Sequence, residues 1–512
     1  MNDTQLASES VSSRYAVTLG AQVFRLLLSV ITAAIVPRTL GPATYGNYSF
    51  LLSTSAAMRG FLDNGAQQAF FTFSSQVRSS GPLTKLYGLV LCGQFAIVLA
   101  VIGVAAVTGK VDWLWHAQRL DQIVLVTALD WALFLALSLQ QLGDSKGLTA
   151  YAQLAAAAVS LLTLVGLLIL RFTGVLSFYT FVCLNLAGAA LTCITLTYRL
   201  LVRYRAQLWV GALEIRAHAQ RWWRFTRPLV LLQYYLPVVA YLGFFLIQRW
   251  YGSEEQGYYA LALQWSAFAL VFTTSGVWIF WREIAHHSAA RDLRQTARVY
   301  LQFSALFFFL ALVLSCGLSA GSTLLVQVVA GERFRSAGAV LAILAFYPIS
   351  QTINQLTMAS MKATERTASY ARWTILLSVP DLFLTYLLLA PTTAPVPGLH
   401  LGAIGMASKT AFYGLLTAQV YDWLNCRYLK IGYARVLVRR LVVAAAVGAL
   451  AVVLLGSGGS WLQRMGMGGI AALALSSCAY AAAVAVLVLL WPGLMGISRE
   501  QLVRGLRLLG WS

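Results

Sequence analysis

Long apolar stretches recur along almost the whole chain, and they constrain its fold class more than any other feature. A hydrocarbon core about 30 Å thick takes roughly 20 apolar residues in helical form to cross, and fourteen such stretches can be marked off. Six lie near 14–36, 46–73, 84–108, 120–142, 149–170 and 176–198, and six near 228–248, 257–281, 299–323, 337–360, 373–390 and 401–424. Two more, near 438–457 and 467–491, form a C-terminal hairpin. With 59% hydrophobic and 11% charged residues over 512 positions, a water-soluble chain could not bury its apolar surface. In lipid every backbone polar group must be satisfied internally, so the sequence predicts an all-α polytopic membrane protein of about fourteen transmembrane helices. The stretch at 46–73 is the most polar, being interrupted by Arg59, Asp63 and Asn64.

That stretch is retained because its counterpart at 257–281 is clear, and a repeated phrase identifies the counterpart. Arg-x-x-Gly-x-x-x-x-Gly-x-Tyr occurs as Arg38, Gly41, Gly46 and Tyr48, and again 211 residues later as Arg249, Gly252, Gly257 and Tyr259. A second copy at identical spacing would arise by chance roughly one time in a hundred, so an internal duplication explains it better. The expected organisation is an N-lobe (1–198), a cytoplasmic amphipathic linker (199–227), a C-lobe (228–424), and a hairpin with an amphipathic tail (425–512). An even number of spans per repeat inserts both six-helix lobes in the same direction, related by a pseudo-two-fold axis along the membrane normal. The glycines free the backbone of a short external connection, and Tyr48 is expected at the headgroups.

Basic residues set the topology, since Lys and Arg accumulate in cytoplasmic loops. Of the 37, 26 fall on the side that carries both termini and 8 on the other, while Arg25, Arg59 and Lys409 lie inside spans. Both termini are therefore expected in the cytoplasm. The net charge of +20 reflects this asymmetry together with attraction to anionic lipid, and no loop is long enough to build a nucleic-acid-binding domain. The linker interleaves Trp209, Trp222 and Trp223 with seven arginines, which suits an interfacial helix. In the tail, Ser498 and Gln501 suit a capping box, with Leu502, Leu506 and Leu509 opposite Arg499, Arg504 and Arg507. Trp113 and Trp115 read as belt residues. The polar first thirteen residues and long first span argue against signal-peptide cleavage.

Charges within the spans point to function. Arg25 lies midway along the first span, where a lipid-facing charge would cost roughly 2.5 to 3.5 kcal/mol, and Thr18, Gln22, Arg25, Ser29 and Thr32 share one helix face. Ser55, Arg59, Asp63 and Gln67, at steps of four, give the second helix its own polar stripe, and two adjacent stripes imply a shared hydrated cleft. Asp63 is placed to pair with Arg59 one turn away, which leaves Arg25 and Lys409 available to attract an anion. Asp130, with Ser138 and Gln141, marks the fourth span, and Gln351, Asn354, Gln355 and Met358 mark the tenth. Asp381 and Asp422, near span ends, read as solvated. The Arg25 and Arg59 positions map in the second lobe onto Leu236 and Leu270, so the expected headgroup site is asymmetric.

No hydrolytic or transfer chemistry is visible, nor a P-loop, and the expectation is a transporter without cofactor or metal. The five histidines do not gather at metal-ligand spacing. The six cysteines show no C-x-x-C pairing.

The phrase Pro37-Arg38-Thr39-Leu40-Gly41-Pro42 with Tyr45-Gly46-Asn47-Tyr48, then Leu62-Asp63-Asn64-Gly65, and Gly331-Glu332-Arg333-Phe334 with Ala337 before the tenth helix, resembles the polysaccharide-repeat exporters. These include O-antigen and exopolysaccharide flippases, in the multidrug/oligosaccharidyl-lipid/polysaccharide exporter superfamily that also holds lipid II flippases and multidrug antiporters. The resemblance covers residues 14 to 424. It implies a bacterial inner-membrane flippase moving an undecaprenyl-diphosphate-linked oligosaccharide from the cytoplasmic to the periplasmic leaflet, with polysaccharide polymerase and chain-length machinery as partners. By similarity it implies that Arg25 and Arg59 hold the diphosphate. Lys409, Gln22, Gln351 and Asn354 join them as cavity residues, with Asp63 and Asp130 as ion-coupling or ion-pair residues. Ser253 and Gln256 stand where the first copy has Pro42 and Tyr45, and fourteen spans exceed the twelve often seen in O-antigen flippases. The expected mechanism is alternating access of two lobes around a cationic cavity. An ion-coupled multidrug antiporter of the same fold would need a carboxylate-dominated cavity, and a membrane glycan polymerase or ligase would need larger external loops.

Overall fold

A computed structural model describes residues 11–76, 81–209, 220, 222–223, 226–227, 230–496 and 500. It is all-helical, with no strand among the described residues. The tail from Gln501 and most of the linker fall outside them. Among the described residues, ten helices are long and apolar enough to cross a membrane. Of the four other expected spans, the second is broken at Asn64–Gly65, the eighth between Phe268 and Val271 and the twelfth by a π turn, while the described residues of the seventh lie in one continuous helix.

The chain divides into two compact units, residues 1–256 and 257–512. The first contains α1 (Val11–Leu40), α2 (Pro42–Asp63), α3 (Ala66–Gln76), α4 (Gly81–Val107), the short α5 (Val111–Leu114), α6 (Leu120–Ser145), α7 (Thr149–Phe172), α8 (Phe178–Trp209) and the first part of α9 (Val230–Phe268). Gly252 breaks α9 at φ 81° and ψ −173°. Gly41, at the same place in the repeat, separates α1 from α2 at φ 78° and ψ 168°. Both glycines occupy a backbone region essentially closed to residues with a Cβ, so the duplicated phrase specifies a duplicated break. Gly46 and Gly257 instead lie inside helices and are buried, so the second glycine of the phrase has no turn role. A Cβ at Gly252 would meet nothing within 4 Å, so backbone strain alone decides a substitution there. Gly252→Ala is expected to lower unfolding stability in detergent by about 1–3 kcal/mol. Gly88→Ala, in a roomy part of α4 with ordinary helical φ, should be neutral or slightly stabilising.

The tyrosines of the phrase both take part in helix packing. Tyr48 meets Phe181 of α8 edge-on at 5.1 Å. Tyr259 is buried, and its hydroxyl lies 3.2 Å from Thr410 Oγ1. Asn47, next to Tyr48 in the first copy, accepts hydrogen bonds from Gln118 (2.8 Å), Gln248 (3.3 Å) and Ser253 (2.6 Å), tying the start of α2 to the break in α9. The loop between α4 and α6 is fixed by Asp112, whose carboxylate accepts the Ala117 N–H at 2.7 Å and sits 3.0 Å from His116 Nδ1. The Ala117 N–H holds this carboxyl below the usual carboxylate range. Trp113 is exposed as a belt residue would be, but Trp115 is 1% exposed and belongs to the core. Trp222 is likewise buried, packed near Tyr87 with Phe70, Leu83 and Leu200, so this linker tryptophan anchors into the first unit.

In the second unit α10 (Val271–Ala289), α11 (Leu293–Ala320), α12 (Ser322–Ala330), α13 (Ala337–Leu344), α14 (Tyr347–Ala363) and α15 (Thr367–Leu389) lead to α16 (Gly402–Ser408) and α17 (Gly414–Tyr428). Between α16 and α17 lies a π-helical turn, Lys409–Tyr413. The hairpin is α18 (Tyr433–Ala451), a second π turn (Val452–Ser457), α19 (Gly458–Arg464) and α20 (Gly469–Leu490). Val443, Val447, Tyr480 and Val484 of the hairpin share one core with Phe308, Leu312, Ile349 and Ile353, so it is part of this unit.

Candidate functional site

Buried polar groups in a membrane must find one another, and in the first unit they do so across α2 and α6. Ser55 Oγ lies 3.1 Å from Thr127 Oγ1. One turn on, Arg59 grips Asp130 with two bonds, Nε to Oδ2 at 2.9 Å and Nη2 to Oδ1 at 3.2 Å, and its guanidinium sits 4.2 Å from the Phe134 ring centroid. The stripe on α2 therefore packs on the fourth span, and the expectation of a cleft lined by the first two helices is corrected. Asp63 is not the ion-pair partner of Arg59. The helix ends at Asp63, Asn64 (φ 41°) and Gly65 (φ 81°) turn left-handed, and the Asp63 carboxylate accepts the backbone N–H of Gln67 at 3.3 Å. That break takes Gln67 off the α2 face. Beside it Asn64 Nδ2 donates to the Tyr234 hydroxyl (3.2 Å), and a Cβ on Gly65 would fall 2.5 Å from Gln233 Nε2.

Arg25 behaves differently. It is partly buried, and its Nη1 donates to Gln153 Oε1 of α7 at 3.3 Å, a neutral partner. No carboxylate pairs with it among the described residues. Gln22 and Ser29 on the same helix are exposed, and the Ser29 and Thr32 hydroxyls donate to carbonyls of their own helix. Among Gln22, Arg25, Ser29 and Thr32, Arg25 is thus the member that reaches another helix with its side chain.

In the second unit Lys409 is neutralised. Its Nζ lies 3.0 Å from Asp381 Oδ1, with the two side chains 9% and 17% exposed. This corrects the reading of Lys409 as an available cation and of Asp381 as solvated. The pair sits at the π turn, where an extra residue per turn swings Lys409 toward α15, and such bulges concentrate at functional positions. Thr410, in the same turn, meets Tyr259. On α14, Gln351 is partly buried, and Asn354 Oδ1 and Gln355 Oε1 are buried without a hydrogen-bond partner among the described residues. Unpaired acceptors at membrane depth are what a polar cargo or water would satisfy.

A second network escaped sequence reading. Asp422 is 0% exposed; it receives Arg440 Nη1 at 2.7 Å and the Tyr300 hydroxyl, while Arg440 Nη2 donates to Ser304 at 2.6 Å. Asp422 is therefore buried, against the solvated expectation. Arg440 lies so near the start of its span that it counts with the loop. Three residues beyond Asp422 in the next turn of α17, Asn425 bonds Arg366 and the Thr357 carbonyl, locking α14 to α17. Among the described residues no cluster of three or more His, Cys, Asp or Glu could hold a metal.

No family model matches this sequence, nor does any curated protein. Solved structures do. The lipid II flippase MurJ, in an inward closed conformation, superposes with a TM-score of 0.66 over 92% of this chain and 98% of its own, at 11% identity. An inward-facing multidrug resistance transporter of the MATE family gives 0.60 over 81% of this chain and 97% of its own, at 12% identity. A MOP superfamily transporter from Pyrococcus furiosus, described as having a binding pocket of reverse polarity, gives 0.50 over 82% and 94%, at 14% identity. At such identities the likeness establishes architecture: the chain is similar in fold to MurJ and to MATE transporters of the MOP superfamily.

Proposed function

We propose that this protein is a flippase that carries an undecaprenyl-diphosphate-linked polysaccharide repeat unit from the cytoplasmic to the periplasmic leaflet of a bacterial inner membrane, by alternating access. The observation that carries the reading is Arg25, a cation within a membrane span whose bonded partner is a neutral amide. Arg59, Lys409 and Arg440 all have carboxylates beside them. A guanidinium left unneutralised at depth is stabilised by an anion, and its fork of donors suits the oxygens of a diphosphate. Arg59 supports Arg25 by holding the α2–α6 face, with Asp130 restraining it. Gln22, Gln351 and Asn354 are the polar groups proposed to meet the glycan, and the fold shared with MurJ supports a lipid-linked cargo. An inside-negative potential assists outward movement by about 2.3 kcal/mol per charge per 100 mV.

One observation favours the rival reading, an antiporter of cationic compounds on the same fold. Asp63 is partly buried, and among the described residues no cation lies within ion-pair distance of it. A leaflet-specific assay separates the two. Purified protein in proteoliposomes should move a defined undecaprenyl-diphosphate oligosaccharide between leaflets and should not drive efflux of a cationic dye. Dye efflux against a proton or sodium gradient, with no lipid movement, would overturn the flippase reading.

A further inference from the structure

Two adjoining cavities open in the second unit where the beginning of α11, the turn 429–432, the beginning of α18 and the segment after α20 converge. They measure about 390 and 640 Å³ and share Leu301, Lys430, Ile431 and Arg439. Arg294 and Arg298 come from α11, Lys430 from the turn, and Arg435 and Arg439 from α18; all five are exposed, and no acidic residue lines either cavity. No carboxylate pairs with any of the five among the described residues. Arg298 donates to the neutral Gln295 at 3.3 Å. Arg439 donates to the carbonyls of Gly493 and Leu494.

The walls are built, which sets this corner apart from an ordinary basic loop. Beneath it Arg440 is cancelled by Asp422 and bonded to Ser304, so the floor joins α11, α17 and α18 rigidly without adding net charge. On the far side Gly496 adopts φ 76°, and a Cβ there would approach Ala305 Cβ at 2.8 Å, so the segment after α20 is pressed onto α11 at a position only glycine fits. Five like charges held around one concavity repel one another, and an anion removes that penalty. Next to the cavity α18 turns Val438, Leu441 and Val442 outward, 59–60% exposed, on a helix apolar enough to span a membrane. A free phosphate has no use for that surface, whereas acyl chains do.

We infer that this corner binds the phosphate headgroup of an anionic membrane phospholipid, with its chains against the outer face of α18. Basic concavities between helices at a membrane boundary recognise such headgroups, each cation contributing about 1 kcal/mol. The site lies in the other unit from Arg25 and its occupancy does not depend on the proposed flipping activity.

The test uses full-length protein in neutral detergent, read by native mass spectrometry for bound lipid and by thermal unfolding. Phosphatidylglycerol or cardiolipin should bind and raise the melting temperature, while phosphatidylcholine, inorganic phosphate and pyrophosphate should not. In Arg294→Gln/Arg298→Gln/Arg435→Gln the lipid should bind roughly a hundredfold more weakly, about fivefold for each cation removed. The single variant Arg298→Gln, which leaves the floor and walls untouched, should show the fivefold loss. Arg171→Gln/Arg203→Gln/Arg282→Gln, an equal loss of exposed charge elsewhere, should keep wild-type binding. Unaltered lipid binding in the first two variants overturns the site, as does an equal loss in the control triple, which marks diffuse attraction. An equal shift from inorganic phosphate alone overturns the lipid assignment in favour of a free-anion site.

Discussion

Arg25→Ala is expected to abolish translocation of a diphosphate-linked oligosaccharide in proteoliposomes while leaving the protein folded. The two halves of that expectation have separate grounds. Arg25's bond within the protein is one contact of 3.3 Å with Gln153, so removing it should cost about 1 kcal/mol of stability. Its proposed bond to substrate is charge-assisted, worth about 1.5–3 kcal/mol in binding alone, or roughly ten to a hundredfold in affinity. Any part of that interaction used to draw a headgroup across the bilayer adds to the loss in rate. Arg25→Lys keeps the charge but not the two-pronged donor geometry, and should fall between wild type and alanine. The measurement is the initial flipping rate of each variant beside its melting temperature. A folded Arg25→Ala protein that flips at the wild-type rate would remove Arg25 from the mechanism. Arg59→Ala is a poorer probe of substrate binding, because it strands Asp130, 4% exposed, without its cation.

The largest effect on stability is expected at Asp422. Removing one member of a buried ion pair leaves the other uncompensated, at a cost of about 3–5 kcal/mol. Asp422→Leu should fall in that range or above it, since Tyr300 also loses its acceptor. The double variant Asp422→Leu/Arg440→Met should recover most of the loss, because an apolar pair of similar volume makes no demand for solvation. Chemical unfolding of the two single variants and the double variant in detergent gives the coupling. A single variant within 1 kcal/mol of wild type would mean that water reaches the pair.

Apolar length was legible in the sequence because it answers to bilayer thickness, and every marked stretch is helical over most of its described residues. The duplicated break was also legible, since no residue but glycine sits comfortably at the angles of Gly41 and Gly252. Partners were not. Arg59 could be paired with Asp63 one turn on, yet Asp63 is the last residue of α2 and its carboxylate turns to the Gln67 N–H across Asn64-Gly65, a turn signal that the apolar window masked. Its actual partner, Asp130, lies 71 positions away, a distance no periodicity encodes. Lys409 likewise reached Asp381 through a π turn that shifts the helical phase. Arg440 went unnoticed because a cation two residues inside a span looks the same as one in the loop.

The seam between the two compact units, after Gln256, does not coincide with the seam of the duplication. The helix that opens the second repeat packs with the first unit, through Gln248 and Ser253 on Asn47 and through Tyr234 on Asn64. During synthesis the first unit is therefore incomplete when the ribosome finishes the first repeat. It closes only when Tyr234, Gln248 and Ser253 have emerged, and until then Asn64 and Asn47, at the two ends of α2, wait for partners not yet made. A translocon or insertase that shelters α2 over that interval would serve this protein more than one whose halves mature independently.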